Sequence, residues 1–197
     1  MRRIVLLSLL LTYIPLHSHA APSDDALTVL NSLSVKGRAA KTGYTRAQFT
    51  HWSDLDRNGC DARNDTLKRD LTEVIYKAGT RDCKVISGLL LDPFSGKVIT
   101  FSSTKSTIDI DHVVALSNAW QTGAAYFDKT KRQQIANDPL NLLAVDFTLN
   151  RQKGDGDAAT WLPPNKEFRM NENSLILSKF VPLIKISIKN LLIECLS

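Results

Sequence analysis

The chain has 197 residues, 43% of them hydrophobic and 23% charged, and a formal net charge of +5. That balance excludes both a disordered polyelectrolyte and a polytopic membrane protein, and the length suits one domain with a proper core. Of the four histidines, His17 and His19 fall in the first 20 residues, so the body of the chain keeps only His51 and His112, too few for a histidine-rich zinc site.

"MRRIVLLSLLLTYIPLHSHA" joins two arginines to a short apolar run and ends in small residues, the pattern of a cleaved export signal. The run is too short to span a bilayer comfortably and is broken by Pro15. Residues 1–20 are therefore expected to be removed, leaving a secreted or periplasmic product without membrane attachment. Export makes the cysteines disulfide candidates. Cys60 and Cys83 are expected to bridge, contributing roughly 3 kcal/mol, with Cys195 left over near the end. Without the leader's arginines the chain is mildly basic, which permits an anionic partner without demanding one.

Within residues 21–45, Leu27, Leu30 and Leu33 predict a short helix followed by a link. "DARNDTLKRDLTEVIYKAG", residues 61–79, places Leu67, Leu71, Val74 and Ile75 on one face between an Asn/Asp start and a Gly stop, and predicts one helix. "CKVISGLLLDPFSGKVITFSS" predicts a hairpin turning at "DPFSG". "STIDIDHVVAL", 106–116, alternates as a strand. "ALSNAWQTGAAYF" and "DKTKRQQIA" read as helical, and "NDPLNLLAVD" as a turn feeding a short apolar strand. "NRQKGDGDAATWLPPN" is expected to start a helix that Pro163 and Pro164 stop. With no repeats and no regular strand–helix alternation, the expected class is α+β, with a single domain over 46–197. In the apolar end of the chain, Lys179, Lys185 and Lys189 argue against a spanning helix, and Pro182 against an unbroken one.

Asp111 directly precedes His112, and Asn141 and Asn150 flank a short strand and turn downstream. A carboxylate, an imidazole and two amides around a hairpin suit phosphodiester hydrolysis. A hard divalent cation takes oxygen ligands and offsets charge on the phosphate, while neutral imidazole takes a proton from water. Lys153 adds a positive charge for a phosphate oxygen. Neighbours on a regular strand point to opposite faces, so the strand is expected to twist, bulge or end at this point, delivering Asp111 and His112 to a cleft.

"DH" at 111–112, Asn141 and "N-x-x-K-G-D" at 150–155 resemble the HNH nuclease motif, the ββα-metal fold, with the final histidine replaced by asparagine. "GCDARNDTLKRDL" at 59–71, "DPFSGK" at 92–97, "IDIDHVVALSNAW" at 108–120, "NDPLNLLAVD" at 137–146 and "KGDGDAATWLPPN" at 153–165 are similar to secreted HNH endonuclease-family proteins related to the C-terminal domain of GmrSD-type restriction enzymes. The resemblance spans residues 45–168 and implies a ββα-metal core within 106–165. It implies His112 as general base and Asp111 and Asn150 as ligands of Mg²⁺, or of Mn²⁺ or another divalent ion. Asn141 would tie the loop that orients His112, and Lys153 would help to hold substrate. Asp109 has a lesser claim as a supporting group. Beyond Phe168 the resemblance fades: Met170 stands where family members carry a cysteine, so 169–197 reads either as a divergent tail or as the product of a reading-frame change, and Cys195 lacks that partner.

Other signals are weaker. "DLDRNG" at 54–59 matches the first half of a calcium loop, but Cys60 takes the seventh position and Asp65 replaces the twelfth-position glutamate, so a polar turn capping the next helix is preferred. Arg63 and Arg69 are candidates to reach phosphate. His51 reads as a surface or hydrogen-bonded residue, and Trp52, Trp120 and Trp161 as core or rim anchors. The expected function is an exported, monomeric, metal-dependent endonuclease acting on DNA, with RNA as an alternative substrate. The competing readings are a secreted nucleic-acid-binding module without catalysis and a calcium-stabilised structural domain.

Overall fold

A computed structural model describes residues 37–105, 107–157 and 159–168. The expected leader, the helix on Leu27, Leu30 and Leu33, and the 169–197 segment with Cys195 lie outside the described residues.

Asp61 opens helix α1 (Ala62–Asp70), its side chain accepting from the backbone N–H of Asn64, while Lys68 and Arg69 in the last turn complement the helix dipole. At Leu71 the backbone turns extended, and Thr72–Tyr76 forms strand β1. The helix expected over 61–79 is thus corrected to a helix followed by a strand. "TEVIY" is β-branched and aromatic, and β2 (Val85–Leu91) offers it an antiparallel partner, so sheet pairing overrides the helical spacing of the leucines. Gly79, at φ 77, turns the chain back toward β2 and does not end a helix. The expected Cys60–Cys83 disulfide is present and ties the start of α1 to the β1–β2 loop.

The predicted hairpin is present: β2 and β3 (Val98–Ser102) pair in unbroken register from Ser87↔Ser102 to Leu91↔Val98. Gly88 on β2 leaves room for Leu71. A Cβ there would stand 2.7 Å from Leu71 Cδ2, so a side chain at 88 would force Leu71 to shift.

Strands β4 (Ile108–His112) and β5 (Leu142–Asp146) form a separate antiparallel ribbon. Between them run α2 (Leu116–Gln121), a 3-10 turn (Ala124–Tyr126) and α3 (Lys129–Asn137). Together with an upstream 3-10 turn (Arg46–Phe49) they enclose a core around Phe49, Leu116, Trp120 and Phe127. The main core lies under α1, where Leu67, Leu71, Leu90 and Phe101 meet Ile108, Ile110 and Leu142 of the ribbon. Helix α4 (Phe147–Lys153) follows β5 at once: Asp146 caps it by accepting from Leu149 N, and Gly154, at φ 53, closes it. The helix expected to begin in "NRQKGDG" therefore starts upstream at Phe147 and ends before the prolines, because the cap is Asp146 and the stop is the glycine. The class is α+β, a single small domain with antiparallel sheets. No described helix is long and apolar enough to cross a membrane.

A two-stranded ribbon is marginal alone, and its outer edge must find partners. Ala144 N donates to Asp70 Oδ2 at 2.8 Å and Asp146 N to Asp92 Oδ1 at 2.9 Å. Arg69 completes the edge by donating to Leu142 O at 2.7 Å and to Pro139 O at 2.6 Å, its other N–H groups going to Asp70. Asp92 is fully buried and accepts further bonds from Phe94 N, Ser95 N and Ser95 Oγ in its own turn. These donors replace the water that a buried carboxylate has lost.

Replacing Asp92 by Ala leaves several of these donors bare. The expected loss is about 3 kcal/mol of unfolding free energy, read from urea denaturation. An unchanged midpoint would show that Asp92 does not bracket β5.

Candidate active site

β4 runs without bulge to its last residue, with Asp111 opposite Leu143 and His112 opposite Leu142. The strand ends at this point, as one of the sequence alternatives required, but the regular pleat sends its last two side chains to opposite faces. Both are buried. Asp109 and Asp111 face α4, and His112 faces α3. The expectation that both are delivered to one cleft is corrected on this point, because the uninterrupted ladder leaves no bulge to turn either side chain.

On the α4 face, residues three apart on the helix meet residues two apart on the strand. Asn150 Nδ2 donates to Asp109 Oδ2 at 3.3 Å. Lys153 Nζ donates to Asp111 Oδ1 at 2.8 Å and to the His112 carbonyl at 3.0 Å, a buried ion pair. Asp111 Oδ2 is buried with no hydrogen-bond partner. Burial raises the Asp111 carboxyl above the usual carboxylate value, and the Lys153 ammonium pulls it back.

On the other face, His112 Nε2 lies 2.9 Å from the Ala136 carbonyl. A carbonyl only accepts, so Nε2 carries the proton and Nδ1 is left as the basic nitrogen. Burial lowers the imidazole pKa to about 4, so the ring is neutral in ordinary buffers; the Ala136 bond opposes the shift and the Arg46 charge adds to it. The Trp52 ring packs 5.7 Å from the imidazole, with His51 edge-on to Trp52 at 5.2 Å. Trp52 sits at φ 63 in a strip fixed by Asn137, which accepts from Ser53 N at 2.7 Å and donates to Thr50 O at 3.0 Å.

Asn141 is fully buried. Its Oδ1 accepts from Val114 N at 2.8 Å, and its Nδ2 donates to Ile135 O at 3.2 Å and Val114 O at 3.4 Å. It thereby ties the chain leaving β4 to the end of α3, one residue from the carbonyl that holds His112. Asn141 also lines a cavity of about 590 Å³ with Leu55, Thr66, Phe127, Ile135 and Leu142, whereas Asp111, His112, Asn150 and Lys153 do not line it. The chemistry and the hollow are separate, and the titratable groups mark the better candidate.

Of the remaining sequence candidates, Arg69 is spent on the β5 edge and Arg63 is half-buried near the start of α1. In the 54–65 loop the carboxylates face the loop's own amides: Asp54 accepts from Asn58 N and Gly59 N, and Asn58 Nδ2 donates to Asp56 and Asp65. Among the described residues no group of three or more His, Cys, Asp or Glu is arranged to hold a metal ion. Trp120 lies in the second core and Trp161 packs edge-on to Phe94. Asp70 and Asp92 went unnoticed as supports of the site, although "DPF" marks a turn. The Ala136 carbonyl has no sequence signal, since every residue carries one.

The description "GmrSD restriction endonucleases, C-terminal domain" matches residues 61–187, more than half of the chain, including Asp109, Asp111, His112, Asn141, Asn150 and Lys153. The chain belongs to this family. The match reaches past Phe168 into the 169–197 segment. An Arthroderma benhamiae protein named "Uncharacterized secreted protein" is 35% identical over 157 residues, which cover 79% of this chain and 74% of that protein. No solved structure matches the chain significantly. Membership carries a nuclease-type function and a nucleic-acid substrate.

The His112 shift has a measurable consequence in the metal-free protein. Between its unfolded value of 6.5 and its folded value of about 4, the unfolded chain binds more protons, so stability falls as the pH drops through that window. At the lower end the loss attributable to His112 is roughly 3 kcal/mol. Urea midpoints in EDTA should therefore fall more between pH 7 and pH 4.5 in wild type than in His112→Gln; parallel curves would refute a buried neutral imidazole.

Proposed function

We propose that the chain is an exported, metal-dependent endonuclease that hydrolyses phosphodiester bonds of DNA with little sequence preference, with RNA as the alternative substrate. In this reading β4, β5 and α4 form a ββα-metal core. Export is supported by the leader pattern and by the similar Arthroderma benhamiae protein's being named a secreted one. The observation that carries the catalytic reading is the end of β4, where a neutral imidazole adjoins a carboxylate with one bare buried oxygen.

That bare oxygen also tests whether a hard cation fits. A buried carboxylate oxygen without a donor is costly unless something positive meets it. Asn150 turns its amide N–H toward Asp109, which leaves its carbonyl oxygen available. Asp111 Oδ2 and the Asn150 oxygen would hold Mg²⁺ or Mn²⁺, an oxygen donor set suited to such ions. Bound there, the ion would supply positive charge to offset that on the scissile phosphate and the leaving oxygen.

The chain's own residues do the rest. His112 Nδ1 takes the proton from the attacking water while its Nε2–H stays anchored on Ala136 O. Asn141 holds the two segments that fix this anchor. Lys153 acts through Asp111: by holding Oδ1 and the His112 carbonyl, it leaves Oδ2 as the uncommitted oxygen of the carboxylate. Since strand neighbours face opposite ways, this reading requires one phosphodiester to lie across the end of β4 so that it reaches both the His112 and the Asp111 side.

Supercoiled plasmid at low salt should be nicked in Mg²⁺ and spared in EDTA, with the rate in His112→Ala down by about 100-fold or more. Undiminished nicking by that variant would remove His112 as base. DNA bound but left intact by wild type would favour the non-catalytic binding module. Mn²⁺ binding without DNA, followed by electron paramagnetic resonance, should weaken by about tenfold or more in Asp111→Asn and in Lys153→Met. Wild-type affinity in both would exclude Asp111 as a ligand.

A further inference from the structure

A nuclease must hold the charged backbone it cuts, and two of the three cations first nominated for this, Lys153 and Arg69, are occupied, while Arg63 is half-buried near the start of α1. Lys153 is buried on Asp111 and the His112 carbonyl, and Arg69 on Asp70, Pro139 and Leu142. Arg46 is different. It opens the 3-10 turn Arg46–Phe49, its side chain is exposed, and it meets no hydrogen-bond or ion-pair partner among the described residues.

The turn is nonetheless firmly placed beside the site. Phe49 is fully buried in the second core, and Arg132 of α3 donates to the Gln48 carbonyl at 3.4 Å. The same helix carries the Ala136 carbonyl that anchors His112. The chain leaving the turn runs through His51 to Trp52, whose ring packs on the imidazole. The electrostatics agree: the Arg46 charge acts on Asp111, His112 and His51 alike.

We propose that Arg46 is a phosphate-binding residue, meeting the nucleic-acid backbone at the mouth of the site beside His112; the assignment rests on the nuclease reading. A guanidinium is planar and always charged, with donors spaced to take two phosphate oxygens. It is here anchored through its backbone while its head is left uncommitted. Trp52 and His51 lie along the chain between Arg46 and the catalytic face, a half-buried aromatic strip next to the charge.

The test is DNA binding by fluorescence anisotropy in EDTA across a salt series, with wild type, Arg46→Gln, Arg46→Lys and Arg81→Gln. Arg81 is an exposed arginine in the β1–β2 loop, so its variant makes the same change in net charge elsewhere. Arg46→Gln should bind several-fold more weakly at low salt, with a log–log salt slope shallower by about one. Arg46→Lys should keep the slope, and Arg81→Gln should match wild type. An unchanged slope in Arg46→Gln, or an equal loss in Arg81→Gln, overturns the assignment while leaving the nuclease reading in place. A folded wild type that neither binds nor cuts DNA overturns both. Among the described residues the Arg46 side chain is exposed and makes no hydrogen bond or ion pair, so its variants are expected to keep the wild-type circular dichroism spectrum.

Discussion

The hydrogen bonds that Asp70, Asp92 and Arg69 make to the outer edge of β5 hold the β4–β5 ribbon to the rest of the protein. Two strands alone do not make a stable sheet. Here the edge that would otherwise be open is closed by side chains from the end of α1 and from the β2–β3 turn. The three-stranded sheet and α1 thus act as a scaffold for a ribbon with which they share no strand pairing. The main core beneath supplies the burial that drives this packing, and the edge bonds set its direction.

The candidate site sets its polar groups on the two faces of one strand. On the α4 side, a helix period of three to four residues meets a strand period of two, so Asn150 and Lys153 fall opposite Asp109 and Asp111. On the α3 side, the imidazole is held by a main-chain carbonyl and covered by Trp52. The buried Lys153–Asp111 pair is costly to desolvate, and such pairs rarely stabilise a fold. Its value is positional, since it leaves one carboxylate oxygen committed and the other bare.

Much of this was legible in the sequence because it is local. The β2–β3 hairpin follows from "DPFSG", the β4 strand from its alternation, and the pairing of Cys60 with Cys83 from spacing and export. The residues of the two faces were named from "DH", Asn141 and "NRQK". Where the reading failed, a non-local partner decided. Leu67, Leu71, Val74 and Ile75 have helical spacing, yet β2 draws Thr72–Tyr76 into a sheet. Arg69 has the makings of a phosphate ligand on an exposed helix, but Pro139 and Leu142 bring carbonyls to it. Asp111 and His112 looked as though they had to share a cleft, and the unbroken ladder shows two faces in use. A carbonyl acceptor such as Ala136 O, or an edge amide such as Ala144 N, is invisible until the chain is folded.

Because the pleat alternates with each residue, the site tolerates substitution and length change very differently. One residue inserted or removed within Ile108–His112 would exchange the faces of Asp111 and His112, sending the imidazole toward Lys153 and the carboxylate toward Trp52 and the Ala136 carbonyl. A similar slip within Leu142–Asp146 would strip Ala144 and Asp146 of their carboxylate partners. The segment from 115 to 134, which lies between the two strands, is under no such parity constraint. Variation in chain length among relatives can therefore accumulate there, while the ribbon itself is confined to changing one side chain for another.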